Sequence, residues 1–269
     1  MSKLLSIILL LMLCTTAYAG VEWGSAKVPV GEDYTLRATC DVAYLFNTNN
    51  ATQPDETGVN DGTVVNATFT SSGKYGGAYS FDGSTAYITV ANESNFDYAL
   101  TDPWTFVAWI YHTDTGNNQR AILAKGIEGA QLVGWDFAIT NEDGGANDKQ
   151  IMTHIISDWG GNDRIQVKGS TTDLDGSAWY HVAFSYSGSE TSAGVQFYFN
   201  GVLETHTEML DQFEGGEDIR TNHPVYIGKR ANNTLYWQGN LDEIGMFSEV
   251  LTITEINEIM DRGLRGSIQ

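Results

Sequence analysis

An all-β sandwich closed by one short helix is the architecture this sequence predicts, and three observations predict it. Short apolar and aromatic runs recur between residues 42 and 248, separated by Gly, Asn, Asp, Ser and Thr clusters. Their period-2 alternation is that of strands with one buried face. The 269 residues include 29 glycines and only four prolines, so the turns are built from Gly and Asn and no proline-rich linker divides the chain. Helical spacing of apolar residues stands out once, near the C-terminus.

Taken in order, the predicted strands begin with VAYLF (42–46), GAYSF (77–81), AYITV (86–90) and WTFVAWIYH (104–112). AILAKG (121–126), WDFAIT (135–140), IMTHIIS (151–157) and RIQVKG (164–169) follow. WYHVAFSYS (179–187), VQFYFN (195–200), VLETHT (202–207), PVYIGK (224–229) and LDEIGMFS (241–248) complete the set. Each is rich in β-branched or aromatic residues. Asn200-Gly201 predicts a type I′ hairpin, because both central residues of that turn need positive φ. The helix is expected in LTITEINEIMDRGL (251–264): Thr252 and Glu255 have capping-box spacing, and Ile253, Ile256, Ile259 and Met260 form a stripe. Gly263 is placed to end it.

The first nineteen residues read as a secretory signal. Lys3 precedes an apolar run from Leu4 to Leu13, and Ala17-Tyr18-Ala19 supplies a cleavage site before Gly20. The run is shorter than the ~20 residues of a membrane span. Cys14 follows a leucine too bulky for a lipoprotein signal, so a soluble secreted, extracellular or periplasmic chain is expected, with no membrane insertion after cleavage. Only Cys40 then remains, which excludes an intrachain disulfide. A domain of ~200–250 residues buries enough surface to fold without one. The formal net charge of −20 disfavours nucleic acid and anionic membranes as partners. Asn50, Asn66, Asn92 and Asn232 begin N-x-[ST] triplets, which matter only in a eukaryotic host.

The order of segments resembles a known family. DVAYLF (41–46), SGKYGGAYSFDGSTAYITV (72–90), WTFVAWIY (104–111) and WYHVAFSYSG (179–188) are followed by VQFYFNGVL (195–203), VYIGKRAN (225–232) and GNLDEIGMFSEVLTITEI (239–256). Together these are similar to LamG-like domains of the concanavalin A-like lectin/glucanase superfamily. Asn200 where Asp is usual and Gly245 for the common Arg are small departures. The resemblance implies a two-sheet antiparallel jelly roll over residues 41–264, after a signal peptide (1–19) and a lead-in (20–40) and before a tail (265–269). It also implies a carbohydrate or extracellular protein ligand, and a structural Ca2+ held by Asp41, the Gly76 carbonyl and Asp242. Without the resemblance, the two aspartates read as turn or edge residues satisfied by backbone N–H groups.

Evidence for catalysis is lacking in the sequence. His181 has no acid beside it within its strand, so a structural histidine hydrogen-bonded between the sheets is expected. The five histidines show no zinc-ligand spacing. The E-x-D-x-x-E strand of related glucanases is absent, and Asp242 and Glu243, being adjacent, should point to opposite faces. Neither a nucleophile elbow nor a phosphate loop occurs. The candidate ligand-binding residues are Trp159 with Asp158, Asn162 and Arg164 in SDWGGNDR (157–164), where a Trp flanked by glycines can act as a sugar platform or as a packing cap, and Trp237 beside Tyr236, near Asn232 and Asn233. The function expected is secreted, non-catalytic recognition or adhesion with a carbohydrate ligand. A structural subunit of an extracellular or surface assembly is the alternative, and a glucanase-like hydrolase the third.

Overall fold

The computed structural model describes residues 39–114, 116, 118–126, 132–140, 149–172, 174, 178–213, 218–231 and 234–267. The signal peptide and its cleavage point, the lead-in up to residue 38, the Asn232 triplet and the last two residues of the tail lie outside them. Two antiparallel sheets form the domain. The first runs through β14 (Val202–Leu203), β13 (Val195–Phe199), β12 (Tyr180–Tyr186), β7 (Trp104–His112), β17 (Gln238–Phe247), β5 (Ala78–Asp82) and β4 (Thr68–Thr70). β1 (Cys40–Tyr44) lies beside the second half of β17. The second sheet runs through β15 (His206–Gln212), β11 (Asp163–Gly169), β10 (Ile151–Asp158), β9 (Gly134–Ile139) and β8 (Arg120–Gly126). It continues through β16 (Val225–Ile227), β6 (Tyr87–Val90), β3 (Gly62–Val65) and β2 (Thr52–Gln53).

Strand alternation sends one set of side chains from each sheet into a shared core. Phe106, Val182, Phe184 and Ile110 come from the first sheet; Ile88, Phe137, Ile155 and Ile165 come from the second. Aromatic pairs bridge the layers, with ring centroids 4.6 Å apart for Phe106–Trp135 and 5.1 Å for Phe137–Phe184. Every predicted strand is present. The run 202–207 divides, however, between β14 in the first sheet and β15 in the second. Three short strands, β2, β3 and β4, are additional; they lie at or next to sheet edges, and at two to four residues each they are too short to display an alternation.

The Asn200-Gly201 turn has φ of 48° and 76°, as a type I′ hairpin requires. Helix α1 (Ile253–Arg262) starts from a complete capping box, with Thr252 accepting from the Glu255 N–H and Glu255 accepting from the Thr252 N–H. It packs Ile256 and Ile259, with Leu264 of the short α2 (Leu264–Ser267), over Ala43, Val107 and Ala183 on the outer face of the first sheet. Ile253, expected in that stripe, is instead 45% exposed at the first turn.

His181 belongs to this outer face, in phase with Ala183 and opposite Trp109, so it lies outside the inter-sheet core. It is fully buried, and neither ring nitrogen has a partner among the described residues, against the expected hydrogen bonding. Burial, aided by Lys74, lowers its pKa to about 3, so the ring is neutral. Asp242 and Glu243 also depart from expectation. The β17–β7 register slips between Asp242 and Gly245, and Glu243 adopts φ 49°. This bulge buries both carboxylates instead of sending one to solvent. Asp242 accepts the Lys74, Tyr75 and Glu243 N–H groups, and Glu243 accepts the Leu264 N–H.

Candidate functional site on the outer face of the second sheet

Strand register aligns a row of residues across the outer face of the second sheet. Tyr226 pairs with Ala124, Ala124 with Asp136, Asp136 with His154, and His154 with Gln166. Ile227, Phe137, Ile155 and Ile165 alternate inward. With strands ~4.8 Å apart, this row covers on the order of 20 Å.

Asp136 and His154 are each only 1% exposed. Burial alone would raise the aspartate's pKa, but the Arg230 guanidinium, His154 and the His154 N–H outweigh it and hold it near 2. Arg230 Nη2 stands 2.5 Å from Asp136 Oδ2, and His154 Nδ1 stands 2.9 Å from Asp136 Oδ1. An acid holding an imidazole is a familiar base arrangement. Here Arg230 Nη2 is also 3.2 Å from His154 Nδ1, and Trp159 packs edge-on to the ring at 5.4 Å. The group is a buried brace for the surface above it.

That surface is aromatic and cationic. Trp159, in the turn between β10 and β11, is half-buried, with the Arg164 guanidinium carbon 4.1 Å from its ring centroid and that of Arg230 at 5.5 Å. Lys229 Nζ sits 4.0 Å from the Tyr87 ring, 4.2 Å from Tyr226 and 5.9 Å from Tyr236. These rings are half-buried as well. Cations over ring faces are mutually stabilising. A water-sized cavity beside Asp136 and Arg230, lined also by Ala124, Gly134 and Ile156, is too small for a saccharide.

Four of the five predicted ligand-binding residues come together in this turn. Asp158 accepts the Gly160 N–H at 2.8 Å; Asn162, at φ 66°, accepts from Arg164 Nη1 at 3.0 Å. Both shape the turn beneath Trp159 and Arg164. Trp237 is a correction: in phase with Leu241, it is fully buried between the sheets, edge-on to His112 at 5.3 Å. It has no surface to offer a ligand. Tyr87, Asp136, His154, Tyr226, Lys229 and Arg230 escaped the sequence reading. The signal for the two tyrosines was present in AYITV and PVYIGK, where they alternate with inward Ile and Val.

The three proposed calcium ligands do not converge. Asp41 lies where β1 meets Met246 and Phe247, about four to five residues along β17 from Asp242, a separation on the order of 15 Å. Its carboxylate accepts from Tyr98 at 2.7 Å and Ser248 at 3.3 Å. The Gly76 carbonyl accepts the Gly73 N–H at 2.9 Å, and Asp242 faces three N–H donors, which oppose a cation. Calcium needs 6–8 oxygen ligands around one point, which this set does not supply. Among the described residues no group of three His, Cys, Asp or Glu side chains is placed to hold a metal, and no helix is long and apolar enough to cross a membrane.

Residues 82–257 match a laminin-G-type family model described as the concanavalin A-like lectin/glucanases superfamily. No curated protein matches the sequence. Among solved structures, the binding domain of Paraclostridial Mosquitocidal Protein 1 is similar at TM-score 0.61 and 12% identity, over 82% of this chain and 52% of that one. The binding domain of Botulinum neurotoxin DC, in complex with rat synaptotagmin II, gives TM-score 0.60 and 14% identity over 84% and 52%. Domain 4 of AbnA, a GH43 extracellular arabinanase from Geobacillus stearothermophilus, was solved with arabinotriose; it gives TM-score 0.59 and 16% identity over 84% of this chain and 100% of that domain. This chain therefore spans about half the length of the two toxin binding domains. At these identities the likeness is one of fold.

Proposed function

The chain belongs to the concanavalin A-like lectin/glucanases superfamily, and from that premise we propose that it is a secreted, non-catalytic recognition domain that binds carbohydrate on the outer face of its second sheet. One observation carries the reading: Trp159, Tyr87, Tyr226 and Tyr236 share that face with Arg164, Lys229 and Arg230. Aromatic ring faces beside charged hydrogen-bond donors are what sugar C–H groups and hydroxyls require, Arg164 and Arg230 supplying the donors while Lys229, 3% exposed, is buried against the tyrosines. The arabinotriose bound by AbnA Domain 4 supports a saccharide ligand on this fold. The leader-like residues 1–19 support secretion. The non-catalytic reading is supported by the burial of both acid-bearing clusters, Asp136–His154 and Asp242–Glu243.

Binding to a glycan array by the chain and by Trp159→Ala tests this. Binding of a defined glycan set, reduced at least tenfold in the variant, is expected. Absence of binding to every glycan, together with self-association on size exclusion, would overturn the reading in favour of a structural subunit.

A further inference from the structure

We propose that the Trp159 end of this face is an anion subsite, fitted to a single sugar carboxylate in an otherwise neutral oligosaccharide. The inference rests on the carbohydrate reading above and narrows it. The chain has 14 Lys and Arg against 34 Asp and Glu. Even so, the Trp159 and tyrosine rings of this face have Arg164, Arg230 or Lys229 against them. Arg230 is answered by Asp136. Arg164 is different: among the described residues its hydrogen-bond partners are all neutral.

Its Nη1 donates to the Trp159 carbonyl at 3.1 Å and to Asn162 Oδ1 at 3.0 Å, and its Nε reaches Gln166 Oε1 at 3.4 Å. Among the described residues Nη2 has no partner and no carboxylate pairs with this guanidinium. The neighbouring Arg230 charge adds to burial in disfavouring its protonated form, the opposite of what an ion-paired arginine experiences. A negative group arriving at Nη2 relieves both costs. The Trp159 stack and the Asn162 contact fix the guanidinium plane before a ligand arrives, so little side-chain entropy remains to be lost.

The charge count selects one carboxylate over a polyanion. A single guanidinium edge neutralises one charge. A sulfated or polyuronate chain would face the remaining field of a −20 molecule.

The test is calorimetric titration of the full chain with paired saccharides. 3′-Sialyllactose is set against lactose, and glucuronosyl-xylobiose against xylotriose, with heparin as a polyanion arm. At least one acidic member is expected to bind about tenfold or more tightly than its neutral partner at low salt. The gap should shrink in 0.5 M NaCl and disappear in Arg164→Gln, while Arg220→Gln, at an exposed pair with Asp218, leaves it intact. Arg164→Lys, which keeps the charge but loses the fork, should retain part of it and serves if the glutamine variant unfolds. Neutral sugars binding as tightly as acidic ones would overturn the subsite and leave the carbohydrate reading standing, as would preference for heparin. Failure of every saccharide to bind would remove both.

Discussion

Glu243 shows how one residue can sit against the chemistry of its own side chain. It is 3% exposed, and burial, together with the adjacent Asp242, pushes its pKa above the usual carboxylate range. Burial raises Asp242 as well, although the Tyr75, Lys74 and Glu243 N–H groups pull it back. A buried acid with a raised pKa binds its proton more tightly folded than unfolded, so its contribution to stability is greatest at low pH. That contribution declines as pH climbs from ~4 towards neutrality. Glu243→Gln keeps an oxygen for the Leu264 N–H and removes the titration. The variant is therefore expected to be more stable than the parent at pH 8, with a flatter fall in melting temperature between pH 5 and 8. Thermal unfolding at both pH values checks this; a variant less stable than the parent at pH 8 would contradict it. The sequence could not place this pair, because strand alternation assigns adjacent residues to opposite faces and nothing in LDEIG marks the bulge.

Elements were more legible than sites, since strand period and turn chemistry are local while a site is assembled by register. The capping box and the Asn-Gly hairpin are both local, and both formed as read. Gly201, at φ 76°, would place a Cβ 1.9 Å from Asn257 Oδ1 on α1, so Gly201→Ala combines backbone strain with a clash. It should cost at least about 1 kcal/mol in denaturant unfolding, and an unchanged midpoint would refute the turn assignment. Thr252→Ala removes the cap and should cost about 1 kcal/mol, with Thr252→Ser close to the parent. The short strands β2, β3 and β4 were invisible because two to four residues are too few to display a period. Trp237 misled differently: the nearby Asn232 and Asn233 suggested a loop, but strand phase carries it into the core.

For the whole molecule, the two sheets divide the work. The first has its outer face covered by α1 and closed over His181 and the acid pair; the second carries rings and cations on its outer face. The jelly roll was legible in the order of motifs. The binding face was only half legible, because Tyr87 joins Tyr226, Lys229 and Arg230, and Trp159 and Arg164 join the same face, only through pairing across the sheet. Since Asp41, Gly76 and Asp242 do not surround one point, adding calcium or EDTA should leave the melting temperature unchanged. A rise of several degrees with calcium would require a cage built elsewhere. Whether ligand sits on the second sheet is read by following the tryptophan indole N–H signals in NMR during titration with a glycan the chain binds. Trp159 is expected to shift and Trp109, buried in the first sheet, to stay in place. Movement of Trp109 with Trp159 unchanged would place the ligand on the other sheet and contradict a site on the second.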